Sequence, residues 1–272
     1  MDAAELTAAL RGLVPALPQP ITVGAGGPAV VALPDDHTVH DLEHLQPRPN
    51  RARASVHVTD SRSLSAYLKR FAGPETVIFA DYDARRAVAK IDYHGERGTS
   101  GVPPSHRQHS ATFTARFALA YDQWREAAGK SMTQTAFAEF LEDRMDDIRA
   151  PDAATVMEAV MAFSMARKVT FSQSIKLASG MRQLTYREED EQTKGALQVP
   201  ERIDLFVPVL SETEPQSLRV DVRYRISSEG KLSFGLHIHD QEAVETEAFD
   251  RCVDQIATDH PSIPVFNGTS AG

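Results

Sequence analysis

At about residue 166 the spacing of apolar side chains changes from near four to two, and that switch limits the folds open to the chain. Before it, Phe137, Phe140, Leu141, Met145 and Ile148 recur at helical spacing. Thr133 or Thr135 stands where a cap is needed, and Glu139, Glu142, Asp143, Asp146 and Asp147 cover the opposite face. Pro151 interrupts the run, and DAATVMEAVMAFSMA continues as a second helix. After the switch, KVTFSQSIKL, MRQLTYRE, RIDLFVPV, SLRVDVRYRI and KLSFGLHIH all alternate, as strands with one face on a core do. Ser179 with Gly180, and SSEG at 227 to 230, supply two hairpin turns. Central helices followed by an antiparallel meander predict an α+β chain rather than a doubly wound sheet.

Upstream, SVHV (55 to 58) reads as a strand. Asp60 or Ser61 then caps a helix that turns Leu64, Tyr67, Leu68 and Phe71 inward. TVIFAD and RAVAKIDYH form a hairpin across DYDAR, and SATFTARFALAYDQWREAAGK begins as a strand and ends as a helix carrying Trp124. A final helix is expected over 241–258. Residues 2–14 suit a short amphipathic helix ended by Pro15, Pro18 and Pro20, and the chain to about residue 54 has no regular pattern. The expected organisation is therefore a helix and extended N-terminal arm over 1–54 and one α+β domain over 55–272.

Twenty-nine Lys and Arg against 38 Asp and Glu leave a formal charge of -9, which argues against the whole surface serving as a nucleic-acid platform but leaves room for a local basic patch. The single cysteine, Cys252, sits on the apolar face of AFDRCVDQI and reads as a buried structural thiol. It can form no intramolecular disulfide and no thiolate zinc cluster, which suits a reducing compartment. The acidic N-terminus lacks a basic leader region, and no apolar run approaches the roughly 18 residues of a membrane span. The expectation is a cytoplasmic protein with no membrane partner.

HDLEH at 40–44 has the H-x-x-E-H order of an inverted zinc-peptidase motif, so His40, His44 and Glu43 are metal candidates, with His37 as a third imidazole. Pro47 leaves only a short stretch for a helix there, and such spacings arise by chance among ten histidines, so a histidine-bearing surface segment is the expected reading. His106 and His109 flank Arg107 in a segment read as a solvated loop. His237 and His239 alternate with apolar residues and mark the polar side of a strand. GAGGP at 24–28 lacks the lysine and following helix of a phosphate cradle. The acidic stripe at 139–147 could chelate Mg²⁺ but lies along one helix, as a solvated face does. Arg219, Arg223 and Arg225 share one side of RVDVRYRI with Asp221, and are the strongest interaction candidates; phosphate contacts or salt bridges within or between subunits fit them equally. No cofactor and no catalytic residue is assigned.

TAFAEFLEDRMDDIRAP, KVTFSQSIKLASGMRQLTYREEDE, VPERIDLFVPVL, RVDVRYRI and IPVFNG together resemble the YfdQ-like family of phage and prophage proteins, a domain of unknown function. The FAEFLED block and the spacing of Gly180, Gln183, Tyr186 and Glu188 carry most of that resemblance. Where the family pattern has an Asp-His-Arg run, this chain reads SHRQHSATF. The resemblance implies a phage setting and transfers no catalytic residue.

Three functions follow as expectations. The first is a non-enzymatic, phage-encoded protein that assembles with itself, in its most specific form a closed icosahedral shell similar to a tailed-phage capsid or encapsulin, by fold-level analogy. The second is an accessory DNA-binding factor for phage DNA metabolism or host takeover, acting through the arginine strand in the host bacterial cytoplasm. The third is a zinc hydrolase built on HDLEH.

Overall fold

A computed structural model describes residues 21–22, 29–30, 52–94, 105–165, 169–177, 180–188 and 194–270. The chain divides into two units, Met1–Ala52 and Arg53–Gly272. In the first, β1 (Ile21–Thr22) pairs antiparallel with β2 (Ala29–Val30). The expected helix at 2–14, GAGGP and HDLEH lie outside the described residues.

The second unit is α+β, with five helices and three sheets among the described residues. One sheet has the order β15-β4-β5-β6-β3, from β3 (Ala54–Val58), β4 (Val77–Asp81), β5 (Arg86–Lys90), β6 (His109–Thr114) and β15 (Val265–Asn267). β4, β5 and β6 are antiparallel, while β3 joins β6 and β15 joins β4 in parallel. Ala87, Ala89 and Ala111 are fully buried, and these small side chains let helices approach the sheet closely. Helix α1 (Ser61–Phe71) packs on β6 and on the late helix α5 (Gln241–Asp259). Asp60 caps α1 by accepting from the Ser63 amide at 2.7 Å, as its sequence position predicts. Leu64 and Leu68 are buried as expected, but Phe71 is 40% exposed and leans its ring on Tyr67 and His109 instead.

The second sheet is wholly antiparallel, in the order β7-β14-β13-β12-β8. It comprises β7 (Ser131–Thr133), β8 (Ile148–Ala150), β12 (Arg202–Val207), β13 (Gln216–Ile226) and β14 (Leu232–Ile238). Strict alternation puts Ile203, Leu205, Leu218, Val220, Phe234 and Leu236 on one buried face. Against that face lie α2 (Leu119–Ala127) and α3 (Gln134–Asp143), and Phe137 of α3 stacks on Phe234 with ring centroids 4.4 Å apart. α3 is capped by Thr133, which accepts from the Ala136 amide. Helix α4 (Ala153–Met165) packs on α3 and on the third sheet, β11-β10-β9, formed by β9 (Val169–Lys176), β10 (Met181–Glu188) and β11 (Lys194–Pro200).

Two expectations need correction. The strands after residue 168 do not form one meander: β9 and β10 pair with the unforeseen β11, and β12 to β14 recruit β7 and β8 as edges. Lys194–Pro200 carries only Leu197 and Val199 in alternation, too short a pattern to announce a strand, so the ladder with β10 makes it one. The acidic stripe is also not one helix face, because α3 stops at Asp143 and a 3-10 turn over Met145–Asp147 brings the Asp147 carboxylate to the Trp124 indole N–H at 2.8 Å. Met145 and Ile148 leave the helix with it. No described helix is long and apolar enough to cross a membrane.

Candidate functional site

The long strand β13 separates its two faces cleanly. Leu218, Val220 and Val222 are buried, whereas Arg219, Arg223 and Arg225 are exposed on the outward side, with Asp221 between them. Register fixes their neighbours: Arg219 stands opposite Asp204, Asp221 between Arg202 and His237, Arg223 opposite Gly235, and Arg225 opposite Ser233. Gly235 leaves bare backbone beside Arg223, so the surface there is recessed.

Two clefts open along this face. One, of about 450 Å³, is bordered by Lys130, Ser131, Arg223, Arg225, Ser233 and Gly235 and has three cations and no carboxylate. The other, of about 780 Å³, lies where the outward face meets the three-stranded sheet and has four cations, Lys176, Arg182, Arg202 and Arg219, against the three carboxylates Glu201, Asp204 and Asp221. Seven cations thus face three carboxylates along β13, in a chain whose whole charge is -9. The charge is therefore segregated, and a local positive field stands on an acidic molecule.

Not all of these cations are available. Glu201 accepts from Lys176 Nζ at 2.7 Å and also meets the Arg182 guanidinium. The Lys176 hydrogen bond, helped by the Arg182 charge, holds the Glu201 carboxyl below the usual carboxylate range against the opposing effect of burial. Arg182 in turn donates to the Tyr224 hydroxyl at 3.1 Å, which also bonds Ser174, so this group ties the third sheet to β13. Arg202 is neutralised by Asp204, 3.0 Å away. Lys130, Arg219, Arg223 and Arg225 have no ion pair among the described residues. Salt bridges to other described residues, one of the two expected explanations of the arginine strand, are not what those three arginines make.

At the far end of the face, Phe206 sits opposite Ser217 and diagonal to Arg219, and it is 46% exposed although Leu205 and Val207 beside it are buried. The Arg149 guanidinium lies 5.0 Å from its ring centroid.

The other candidates scatter. His40, Glu43, His44 and His37 lie outside the described residues. His109 belongs to β6, not to a loop; it is 4% exposed and its Nε2 meets the Tyr67 hydroxyl at 2.7 Å. His106 is exposed. His237 borders a third, acidic cleft with Asp240, Glu242, Glu247 and Asp250, and His239 pairs with Asp240 at 3.0 Å. No group of three or more His, Cys, Asp or Glu among the described residues is placed to hold a metal ion. Cys252 is buried, its thiol 3.5 Å from the Ala248 carbonyl, and burial pushes its pKa up to about 12. Sequence reasoning missed Lys130, Lys176, Arg182, Arg202 and Phe206. The last two were within reach, because the alternation of RIDLFV already puts Arg202, Asp204 and Phe206 on the side away from Ile203 and Leu205.

No curated protein and no solved structure matches the chain, and the expected likeness to a capsid or encapsulin subunit has no support. Residues 7–270 match a family described as uncharacterized conserved protein. The chain therefore belongs to the DUF2303 family.

Proposed function

We propose that the chain is a non-enzymatic binding protein whose outward sheet face takes a nucleic acid. One observation carries this reading: Arg219, Arg223 and Arg225 face outward on one sheet of an otherwise acidic chain, Lys130 borders the cleft beside them, and all four are free of ion pairs among the described residues. Phosphates release counterions when arginines neutralise them, so such a face binds steeply with salt. In the phage setting that the YfdQ-like resemblance implies, the protein serves as an accessory factor in phage DNA metabolism or host takeover, inside the host cell.

The test is fluorescence anisotropy with a labelled oligonucleotide across a salt series. Four free cations predict a slope of log K on log salt of about -2.8 to -3.6, at roughly 0.7 to 0.9 per phosphate. Arg223→Gln with Arg225→Gln should lower the slope by about 1.4 to 1.8. Binding that ignores salt, or that survives the double substitution with its slope intact, overturns the proposal.

A second reading, self-assembly, is favoured by a different observation. β9 and β11 flank β10, so each leaves one edge without a strand partner among the described residues, and β9 exposes 56% of Ile175. Edges of this kind template pairing with another copy, and a closed phage shell is the largest form such pairing could take. Light scattering after size exclusion, with negative-stain images of the peak, tests it: a uniform large particle supports assembly, and a monomer ends it.

A further inference from the structure

We infer that the nucleic acid taken by this face is single-stranded, with a base stacked on Phe206 and the phosphates running past Arg219, Arg223 and Arg225. The inference rests on the nucleic-acid reading of the face and adds which form is bound and what holds its bases.

Three features separate a single strand from a duplex. The first is width. Five strands spaced at about 4.8 Å make a surface roughly 19 Å across, wider than the major groove of about 12 Å, so the sheet cannot enter a groove as a helix or a two-stranded ribbon does. A duplex would meet only the side chains above the sheet, and Ser217, Ser233 and Gly235 are too short to reach base edges.

The second is direction. Arg219 to Arg225 spans six residues of one strand, about 20 Å at roughly 3.4 Å per residue. A duplex lying along β13 turns once in about 34 Å, so over that length each of its backbones winds more than half a turn and leaves the arginines. An extended single strand follows a straight line.

The third is the exposed ring. A phosphate backbone has no use for Phe206, whereas an unstacked base does, because it gains a π surface that water does not offer. Phe206 is the outward aromatic of β12, 46% exposed, with arginines on either side: Arg149 over the ring and Arg219 on its diagonal. A positive track beside an aromatic platform is how sequence-tolerant single-strand binders are built. Ser217, Ser233 and Gly235 beside the arginines leave room for bases to lie against the sheet, and Asp221, the carboxylate between Arg219 and Arg223, stands between Arg202 and His237.

The experiment uses the full chain and four labelled probes of equal length: oligothymidine, oligouridine, a DNA duplex and an RNA duplex, all in the same buffer. The expected result is single-strand binding at least about tenfold tighter than duplex binding. Phe206→Ala weakens the single strands by about 5- to 150-fold and leaves the weak duplex binding as it was, while Phe206→Trp restores affinity and has its own fluorescence quenched by the bases. Phe206 is surface-exposed, so both variants should fold, and circular dichroism checks this. Thymidine and uridine probes of equal affinity support recognition through phosphate and base alone. A preference for one of them also supports the inference and names the source, through the ribose 2′-hydroxyl or the base methyl.

Duplex binding as tight as single-strand binding, or single-strand binding indifferent to Phe206→Ala, overturns the inference. If Arg223→Gln with Arg225→Gln still weakens every probe in that case, nucleic-acid binding stands and only the single-strand assignment fails. If no probe binds at all, both fall.

Discussion

Tyr121 and Glu245 offer a quantitative test of how the described unit is held together. They lie 124 residues apart in sequence, on α2 and α5, and the Tyr121 hydroxyl donates to Glu245 Oε1 at 2.9 Å with the tyrosine 0% exposed. Burial, and the Glu245 charge after it, push the phenol pKa far up, so it stays a donor throughout the working pH range. Gln241 also donates to that oxygen at 2.9 Å, and Arg85 approaches the other one at 3.7 Å. Tyr121→Phe removes one charge-assisted hydrogen bond and leaves Glu245 with Gln241, a loss of about 1.5 to 3 kcal/mol. Glu245→Ala does more. It strands a fully buried hydroxyl, which costs about 1 to 3 kcal/mol beyond the lost bond, and releases a partly exposed arginine worth under about 1 kcal/mol. The bond is counted in both single variants, and once the hydroxyl is gone the extra penalty has no source, so the double variant should be less destabilised than the sum of the singles by about 2.5 to 6 kcal/mol. Urea unfolding followed by circular dichroism measures all four proteins, and with a slope of about 2 to 3 kcal/mol/M the coupling appears as roughly 0.8 to 3 M in the midpoints. Additivity within about 0.5 kcal/mol would refute the argument, since it would mean that the hydroxyl finds water or another partner.

Other outcomes follow from the same reasoning. Cys252 should ignore a thiol reagent in the native protein and react on unfolding, because burial holds its pKa near 12; rapid native labelling would contradict its place in the core. His260 is 8% exposed with Nε2 unpartnered among the described residues, and burial lowers its pKa below the ordinary value of 6.5. The unfolded chain therefore binds the proton more readily. The stabilising contribution is present above about pH 6.5 and lost as pH falls below it, so His260→Gln should flatten the fall in stability below about pH 6.5. Gly230 has φ of +76° in the β13–β14 turn, and Gly230→Ala should cost about 1 kcal/mol or more by thermal melting. Elemental analysis of dialysed protein should find no stoichiometric zinc, and zinc that disappears with His40→Ala would restore the HDLEH reading.

Local pattern carried much of the fold. α3, α4 and strands β9, β10, β12, β13 and β14 follow from the change of period, because each presents its own apolar face. The short strands β7, β8 and β15 have three residues each and too little pattern to be seen; they are strands because a neighbour offers hydrogen-bonding groups. The end of α3 at Asp143 was hidden for a similar reason, since the Trp124 indole that recruits Asp147 is distant in sequence. At the candidate site, the outward parity of Arg219, Arg223 and Arg225 was legible in RVDVRYRI alone. Their convergence with Lys130, Lys176 and Arg182 was not, because it depends on which sheet each strand joins.

The first sheet is closed at one edge by β3, the first strand of its unit, and at the other by β15, the last. During synthesis β4 therefore waits with an open edge until the residues up to its parallel partner, which begins at Val265, are made. At about 5 to 20 residues per second the delay is on the order of ten to forty seconds, and the ribosome tunnel prolongs it. A nascent chain of this protein passes much of its early life with a strand edge available to any neighbour on the same messenger, so its yield should depend on translation rate and chaperone supply more than its final stability suggests.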